Sequence, residues 1–326
     1  MIKKIIGLLL IGVLACFLAG CSKNDNKSVA KKDNNLIIFH AGSLSVPLSQ
    51  MKKAFEKKYP GTNIIMEAAG SRMCARKIAD LNQKCDVMMS ADYSVINQIL
   101  IPKYASWSLK FANNQMAVVY TKKSKYANEI NSSNWYKILQ KKGVVCGHSN
   151  PNDDPCGYRA LLTMKLASIY YHDKGLFQKI NDKKGGMVVM RPKETDLLSL
   201  LEVGQIDYIF LYKSVAEQHH LEYVELPPQV NLGSMKYADY YKQVKVEVSG
   251  KTPGSKITKY GAPMLYGLTI PKNAPNPKLA MKFVEFVMNK NEGGKIMEEN
   301  GQKSVVPAKT STYNELPQAL KKYAFK

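Results

Sequence analysis

The stretch Phe39–Gly61, FHAGSLSVPLSQMKKAFEKKYPG, places a Gly-Ser turn between a strand and an amphipathic helix. The strand begins at Leu36 in a nearly uninterrupted apolar run, LIIFHA, typical of a strand buried on both faces. Four apolar residues then recur at helical spacing, namely Leu48, Met51, Phe55 and Tyr59. A helix start offers unpaired N–H groups and partial positive charge to an anion, and glycine lets the backbone approach it. The stretch therefore predicts a strand-turn-helix unit whose turn can hold an anion.

The same arrangement recurs at the next strand, NIIMEAAG, where Ser71 opens a helical pattern through Met73, Ile78 and Leu81. The two turns therefore read AGS, ending at Ser43, and AAGS, ending at Ser71. Parallel strands bind ligands at their carboxyl ends, so we expect both turns to converge on one anion. The alternative is that both serines are ordinary helix N-caps.

Strand and helix patterns continue to alternate beyond the third strand, CDVMMSAD. Such alternation predicts an α/β fold whose parallel sheets carry helices on both faces. We expect two α/β lobes with a ligand cleft between them. Lobe 1 would comprise residues 36–115 and 265–326, lobe 2 residues 116–264, and the chain would cross near Met116 and Leu265.

The N-terminus has the pattern of an exported protein. A basic start, an apolar run and small residues before Cys21 predict a signal peptide over residues 1–20, although a membrane span is the alternative. LAGC at Leu18–Cys21 resembles a bacterial lipobox, which implies a lipid on Cys21. Residues 21–35 would then form a flexible tether, because they contain too few large apolar side chains to fold.

The net charge of +21 fits several anionic partners. No aromatic-basic RNA signature, zinc-finger spacing or dense basic tract is present, so we expect no nucleic-acid binding. A basic surface also suits an anionic cell envelope or the steering of a small anion.

Four cysteines remain after the signal region, and in an oxidising compartment they permit three disulfide pairings: Cys74, Cys85, Cys146 and Cys156. CGH at Cys146–His148 raises a metal site as an alternative, but no CxxC or HxxxH accompanies it. The serines lack a GxSxG elbow and no histidine has a triad context, so we expect no enzyme. A secreted cysteine or serine enzyme remains the alternative from another class; the cysteine version requires a free thiol of low pKa near a histidine.

The segment SNPNDDPCGYR, Ser149–Arg159, runs from polar turn residues straight into a helix. Asp153 or Asp154 would cap that helix, with amides near Cys156 facing the cleft. Arg159 would be a surface cation.

Taken in order from Leu36 to Pro307, seven motifs resemble the molybdate/tungstate-binding proteins of ABC transporters, the tungstate-uptake type first associated with archaea. They are FHAGSLSVP, AAGSRMCARKIADL, CDVMMSADY, NPNDDPCGYRAL, RPKETDLLSLLEVGQIDY, YKSVAEQHHLEYVELPPQVNL and YGLTIPKNAPN. The resemblance implies a type II periplasmic-binding-protein fold that captures the oxyanion outside the cytoplasm and presents it to a permease. It implies no cofactor and no catalysis.

In this family the metal of the oxyanion keeps four oxo groups and gains two carboxylates. Carried over by motif, Ser43 and Ser71 would donate to oxo groups, while Gly42 and Gly70 would allow close approach.

Asp154 would be the first carboxylate, with Pro155 and Cys156 beside the oxyanion. Glu225 of VELPP would be the second, its alternative being a solvated charge at a strand end. Tyr241 of ADYYKQV would donate a hydroxyl, and Tyr237 and Tyr240 compete for that role.

We therefore expect a monomeric, lipid-anchored receptor for molybdate and tungstate, held at the outer side of the cell membrane. Within the same class, a receptor for another anion such as sulfate or a small carboxylate is the alternative.

Overall fold

Two five-stranded sheets organise the part of the chain that the computed structural model describes, residues 34–181, 188–252 and 254–326. The strands are β1 (Asn35–Ala41), β2 (Asn63–Ala69), β3 (Val87–Ser90), β4 (Leu109–Asn113), β5 (Met116–Tyr120), β6 (Cys146–Ser149), β7 (Val188–Arg191), β8 (Tyr208–Tyr212), β9 (Glu222–Glu225), β10 (Lys245–Ser249), β11 (Lys256–Tyr260), β12 (Leu265–Thr269), β13 (Ala308–Lys309) and β14 (Ala324–Phe325).

The helices lie mainly between consecutive strands of the chain. They are α1 (Ser45–Lys58), α2 (Ser71–Ala79), α3 (Tyr93–Val95), α4 (Trp135–Ile138), α5 (Pro155–Tyr170), α6 (Leu176–Ile180), α7 (Leu198–Glu202), α8 (Lys213–Gln218), α9 (Ala238–Tyr241), α10 (Pro277–Met288) and α11 (Gly293–Glu299). No helix within the described ranges is long and apolar enough to span a membrane. The predicted signal peptide, Cys21 and most of the tether lie outside those ranges.

The first sheet has the strand order β2-β1-β3-β12-β4. β1 is parallel to β2 and β3, whereas β12 is antiparallel to both β3 and β4. The second sheet has the order β7-β6-β8-β5-β9, with β6 parallel to β7 and β8, and β5 antiparallel to β8 and β9. The mixed α/β architecture with two sheets is therefore as predicted.

The apolar spacing in the opening stretch forms the helix that it predicts. Leu48, Met51 and Phe55 of α1 are buried, and Phe55 packs edge-on against Phe283 of α10. The helix pattern after Ser71 is shorter than predicted: α2 ends at Ala79, and Leu81 is 66% exposed. Leu81 therefore lies beyond the helix and outside the core.

A two-stranded antiparallel ribbon, β10 and β11, lies outside both sheets. Its first strand, KVEVS, alternates polar and apolar residues as a half-buried strand does, whereas KITKY in β11 lacks this alternation. We call these paired strands the ribbon below.

Candidate functional site

Two neighbouring parallel strands of each sheet end at one place between the sheets. They are β1 and β2 of the first sheet and β6 and β7 of the second. The turns that follow them carry Ser43, Ser71, Asp154 and Glu194, all buried. In α/β sheets the carboxyl ends of strands are where ligands bind, so this junction is the candidate site.

The turn after β1 is a short 3-10 helix, Gly42–Leu44, directly before α1. Ser43 Oγ lies 2.9 Å from Tyr266 Oη, and the N-cap of α1 is Leu44, so Ser43 is not an N-cap. A Cβ atom on Gly42 would lie 2.9 Å from Glu194 Oε1. The glycine therefore admits a carboxylate from the second sheet to this turn.

The turn after β2 approaches the second sheet still more closely. A Cβ atom on Gly70 would lie 2.4 Å from the carbonyl oxygen of Asp153, which accepts hydrogen bonds from the Arg72 and Met73 amides. Gly70 is the N-cap of α2, whereas the Oγ of Ser71 accepts a hydrogen bond from the Ala91 amide. Glycine is therefore required here for contact between the sheets.

Asp154, the first residue of DPCGYR, caps α5, which decides between the two caps that the sequence left open, Asp153 and Asp154. Its Oδ1 accepts from the Cys156 amide at 3.2 Å, and its Oδ2 accepts from the Glu194 amide at 3.0 Å. Pro155 is the first residue of the helix, where its missing N–H costs no hydrogen bond. Burial raises the pKa of Asp154 above its usual range, although these amide hydrogen bonds oppose the shift.

Glu194 is the second carboxylate of the site, and it follows β7 as Asp154 follows β6. Burial, and then the charge of Asp154, raise the pKa of Glu194 well above its usual range. Neither oxygen of the Glu194 carboxylate has a hydrogen-bond partner among the described residues, and the same is true of Ser149 Oγ. Buried polar atoms in proteins nearly always have partners, so a proton shared with the adjoining Asp154 carboxyl, a water or a ligand completes these oxygens.

Two tyrosines and an arginine surround this cluster. Tyr266 Oη accepts from Asn114 Nδ2 at 3.1 Å, and Tyr212 Oη accepts from Arg159 Nη1 at 3.0 Å. Arg159 also donates to the Ala91 carbonyl oxygen and is buried, so the expectation of a surface cation was wrong. Within the described ranges no group of three or more His, Cys, Asp or Glu could hold a metal ion.

The structure does not bring Glu225 to Asp154. Glu225 ends the edge strand β9, and β5 and β8 separate that strand from β6. Its Oε1 accepts from Gln115 Nε2 at 2.9 Å and from Lys213 Nζ at 3.2 Å, and the side chain is 60% exposed. The alternative of a solvated charge at a strand end therefore describes Glu225 in this structure.

Tyr241 has its hydroxyl hydrogen committed within its own loop. Its Oη donates to the Pro228 carbonyl oxygen and accepts from the Ser234 amide at 3.2 Å. Tyr237 and Tyr240 are only half-buried. The hydroxyls beside the site are instead those of Tyr212 and Tyr266.

Glu194 was not among the predicted site residues, although its motif, RPKETDLL, was one of those that carried the resemblance. The available signal was its place after an apolar strand, GMVVMRP, which matches the place of Asp154 after VVCGHSN. The same signal selects Tyr212, the last residue of β8.

Four cysteines of the folded region are free and buried, so none of the disulfide pairings that the sequence left open is formed: Cys74, Cys85, Cys146 and Cys156. Burial raises the pKa of each thiol, that of Cys74 to about 12. None of them is the low-pKa thiol that a cysteine enzyme requires. His148, the partner in the metal alternative, places Nδ1 2.8 Å from the Ser149 carbonyl oxygen.

Comparison with known proteins agrees with this architecture. A family model described as bacterial extracellular solute-binding protein matches residues 36–303. A solute-binding protein of Petrotoga mobilis is 53% identical over 88% of this chain and 89% of its own length. The molybdate/tungstate-binding protein WtpA of Thermococcus kodakarensis is 40% identical over 97% of this chain and 96% of its own.

Among solved structures, the periplasmic molybdate-binding protein of Azotobacter vinelandii superposes with a TM-score of 0.61 at 17% identity. The match covers 82% of this chain and 98% of that one. This likeness shows the type II periplasmic-binding-protein fold that the sequence predicted.

Proposed function

Since the chain belongs to the bacterial extracellular solute-binding protein family, we propose that it is the receptor that delivers molybdate or tungstate to an ABC importer. The relatives named for molybdate and tungstate support this ligand class. So does the agreement along nearly the whole chain with a relative of that name.

One observation carries the proposal: two buried carboxylates, Asp154 and Glu194, lie together with no cation paired to Glu194 within the described residues. Two carboxylates repel an ordinary dianion, and the repulsion is strong where water is excluded. The repulsion is overcome when the carboxylate oxygens bond directly to a hard, high-valent metal centre. Molybdenum and tungsten can accept such bonds while they keep their oxo groups.

The same pair of carboxylates would reject other oxyanions. Sulfur and phosphorus in sulfate and phosphate cannot extend their coordination to two carboxylates, so no bond to the central atom would offset the repulsion between these anions and the ionised pair. Attraction of one ligand and rejection of its competitors would therefore come from the same two side chains. The hydroxyls of Ser43, Ser71, Tyr212 and Tyr266 remain as the candidate donors to the oxo groups.

Glu194 replaces Glu225 in this proposal as the second carboxylate, and Tyr212 and Tyr266 replace Tyr241. Ser43, Ser71, Gly42, Gly70 and Asp154 keep their proposed roles. Pro155 and Cys156 serve through the backbone, because the Cys156 amide holds Asp154 and the thiol is buried against the Phe210 carbonyl oxygen.

The cellular part of the proposal follows from the N-terminus. Lipidation of Cys21 would anchor a monomeric, non-catalytic receptor outside the cell membrane, next to its permease. The basic net charge would raise the local concentration of an anionic ligand.

Calorimetric titration of the full chain with tungstate, molybdate and sulfate tests the proposal. We expect one-to-one binding of tungstate and molybdate, and no binding of sulfate. Asp154→Asn and Glu194→Gln should each weaken tungstate at least ~100-fold, since they remove a direct metal ligand rather than an outer contact. Glu225→Gln is the matched control and should change affinity less than about threefold, because the group is exposed. No heat with either metal oxyanion, or tight binding of sulfate, would reject the proposal.

A further inference from the structure

The ribbon is attached to the side of the molecule that carries the second sheet. Lys165 of α5 donates from Nζ to the Lys245 carbonyl oxygen at 2.7 Å. The Ser249 amide donates to Asn152 Oδ1, in the loop after β6, at 2.8 Å. The ribbon is therefore anchored to the same loop that carries Asp154.

From this anchor the ribbon reaches α2, which follows the first sheet's β2. Arg76 Nη2 donates to the Gly250 carbonyl oxygen at 2.6 Å. The guanidinium of Arg72 donates to the Ser249 carbonyl oxygen, and its Nε donates to the Asn152 carbonyl oxygen at 2.9 Å. Two cations from one side of the cleft thus bind backbone oxygens from the other side.

A third contact runs in the opposite direction, from the ribbon to the loop after β3. Lys259 Nζ lies 2.7 Å from Ser94 Oγ and 3.5 Å from Asp92 Oδ2. Its side chain is only 6% exposed, whereas Lys245, Lys251 and Lys256 of the ribbon and its turn are exposed. A buried ammonium loses its hydration and requires such partners, so Lys259 holds its position only while the two sides are in contact.

These contacts lie outside the group of side chains assigned to the oxyanion, yet all of them join the two sides of its cleft. Separation of the two sides would break the Arg72, Arg76 and Lys259 contacts together. In a binding protein whose two sides can separate, such contacts favour the closed form and are lost in the open form, with ligand or without it. Affinity differences of this kind appear mainly in the dissociation rate.

We infer that the ribbon is a latch, in which Lys259 and Arg76 hold the cleft closed and thereby set how long the oxyanion stays bound. The inference rests on the proposed function for its ligand, but the latch contacts themselves involve protein atoms only.

Stopped-flow kinetics of tungstate binding to the full chain tests the latch with Lys259→Met, which keeps the apolar stem and removes the ammonium. The matched control is Lys256→Met: Lys256 lies on the same strand, but its partner Glu247 is within the ribbon at 2.8 Å. We expect Lys259→Met to raise koff about tenfold and to change kon less than about threefold. Lys256→Met should match the wild type, and Lys259→Arg should recover part of the loss because it keeps the charge.

A koff for Lys259→Met equal to that of Lys256→Met would overturn the latch. So would a loss confined to kon, because that result indicates a damaged site rather than faster opening. Arg76→Gln is the second variant if Lys259→Met does not fold, since Arg76 is partly exposed and should raise koff in the same direction.

Small-angle scattering of the ligand-free proteins separates the latch from the proposed function. Lys259→Met should have a larger radius of gyration than the wild type, whatever the ligand is. If the wild type bound no tungstate, the proposed function would fail. The radii of gyration of Lys259→Met and wild type would then be the remaining test of whether the ribbon holds the two sides together. Equal radii in the two proteins would overturn the latch.

Discussion

Two carboxylate clusters in this protein are buried to a similar degree and differ in their countercharges. Asp92 lies beside Lys259 and accepts hydrogen bonds from Tyr158 and from Ser94. Burial alone would raise its pKa, but Lys259 and Arg159 hold the pKa of Asp92 well below its usual range. Asp154 and Glu194 have no such cation, and burial raises both of their pKa values.

The difference separates a structural ion cluster from a binding site. Asp92 is neutralised by the protein itself, so its charge is used to join the two sides of the cleft. Under the proposed function, the Asp154–Glu194 pair receives its positive centre from the bound oxyanion. Burial of an acidic residue therefore does not by itself mark a site, whereas burial without a countercharge does.

The largest test exchanges each carboxylate for its amide in the ligand-free protein. Asp92→Asn should lower the free energy of unfolding by about 3–5 kcal/mol, because it leaves Lys259 and Arg159 buried without their anion. Glu194→Gln should leave it unchanged or raise it by up to about 2 kcal/mol, because it removes a buried charge. Urea denaturation at pH 7 measures both. Equal losses in the two variants would show that the clusters do not differ in this way.

The next test concerns the close contact between the turn after β2 and the loop after β6. Gly70→Ala would place a Cβ atom 2.4 Å from the Asp153 carbonyl oxygen, and backbone on both sides must shift. A strain of about 1.4 kcal/mol corresponds to about tenfold weaker tungstate binding. Gly175→Ala, whose Cβ would meet mainly the flexible side chain of Lys179 at 3.2 Å, is the control and should bind normally. Wild-type affinity in Gly70→Ala, measured by calorimetry, would argue against close contact at this point.

The pH dependence of stability should have opposite signs for the two clusters. The pKa values of Asp154 and Glu194 are raised on folding, so their contribution is present in acid and is lost as the pH rises through the raised values. The pKa of Asp92 is lowered, so its contribution is present above the usual carboxyl range of about 4 and is lost as the pH falls below that range.

We therefore expect ligand-free wild type to lose stability as the pH rises above the usual carboxyl range of about 4 and through the raised pKa values, by at most ~1.4 kcal/mol per pH unit for each proton released. Glu194→Gln should make the free energy of unfolding depend less steeply on pH in this range. It should not change the loss of stability in strong acid, which comes from Asp92. Parallel curves for the two proteins, from urea denaturation at each pH, would contradict the assignment.

The smallest effect is expected at Cys156. Its amide holds Asp154, but its thiol faces the Phe210 carbonyl oxygen. Cys156→Ala keeps the amide, so tungstate affinity should change less than about threefold, with a stability loss of about 1 kcal/mol for the lost volume. A large loss of affinity in calorimetry would show that the thiol contributes to the site.

The sequence predicted those parts of the site that depend on local pattern. Strand-to-helix turns with glycine identified Ser43 and Ser71, and a polar run before a helix identified Asp154. The choice between Glu194 and Glu225 depends on strand order in the second sheet, which no local pattern contains. Each residue lies at or just after a strand end, but β7 adjoins β6 whereas β9 is at the far edge.

Other differences from the sequence predictions have similar causes. The compartment permitted disulfides and the sequence left their pairing open, because pairing depends on distances between cysteines that only the fold sets. Arg159 is polar in isolation and is buried because Ala91 and Tyr212 supply acceptors from two different strands' ends. The strand β11 depends on its pairing with β10, since its own sequence has no apolar run.

The central claim is that Asp154 and Glu194 bond directly to the metal of the bound oxyanion. X-ray absorption spectroscopy at the tungsten edge tests it on the wild-type complex and on Glu194→Gln loaded at high tungstate. We predict six oxygen neighbours in the wild type, four oxo groups and two more distant carboxylate oxygens, and one fewer distant neighbour in the variant. Four oxygen neighbours at a single distance in both proteins would contradict the account.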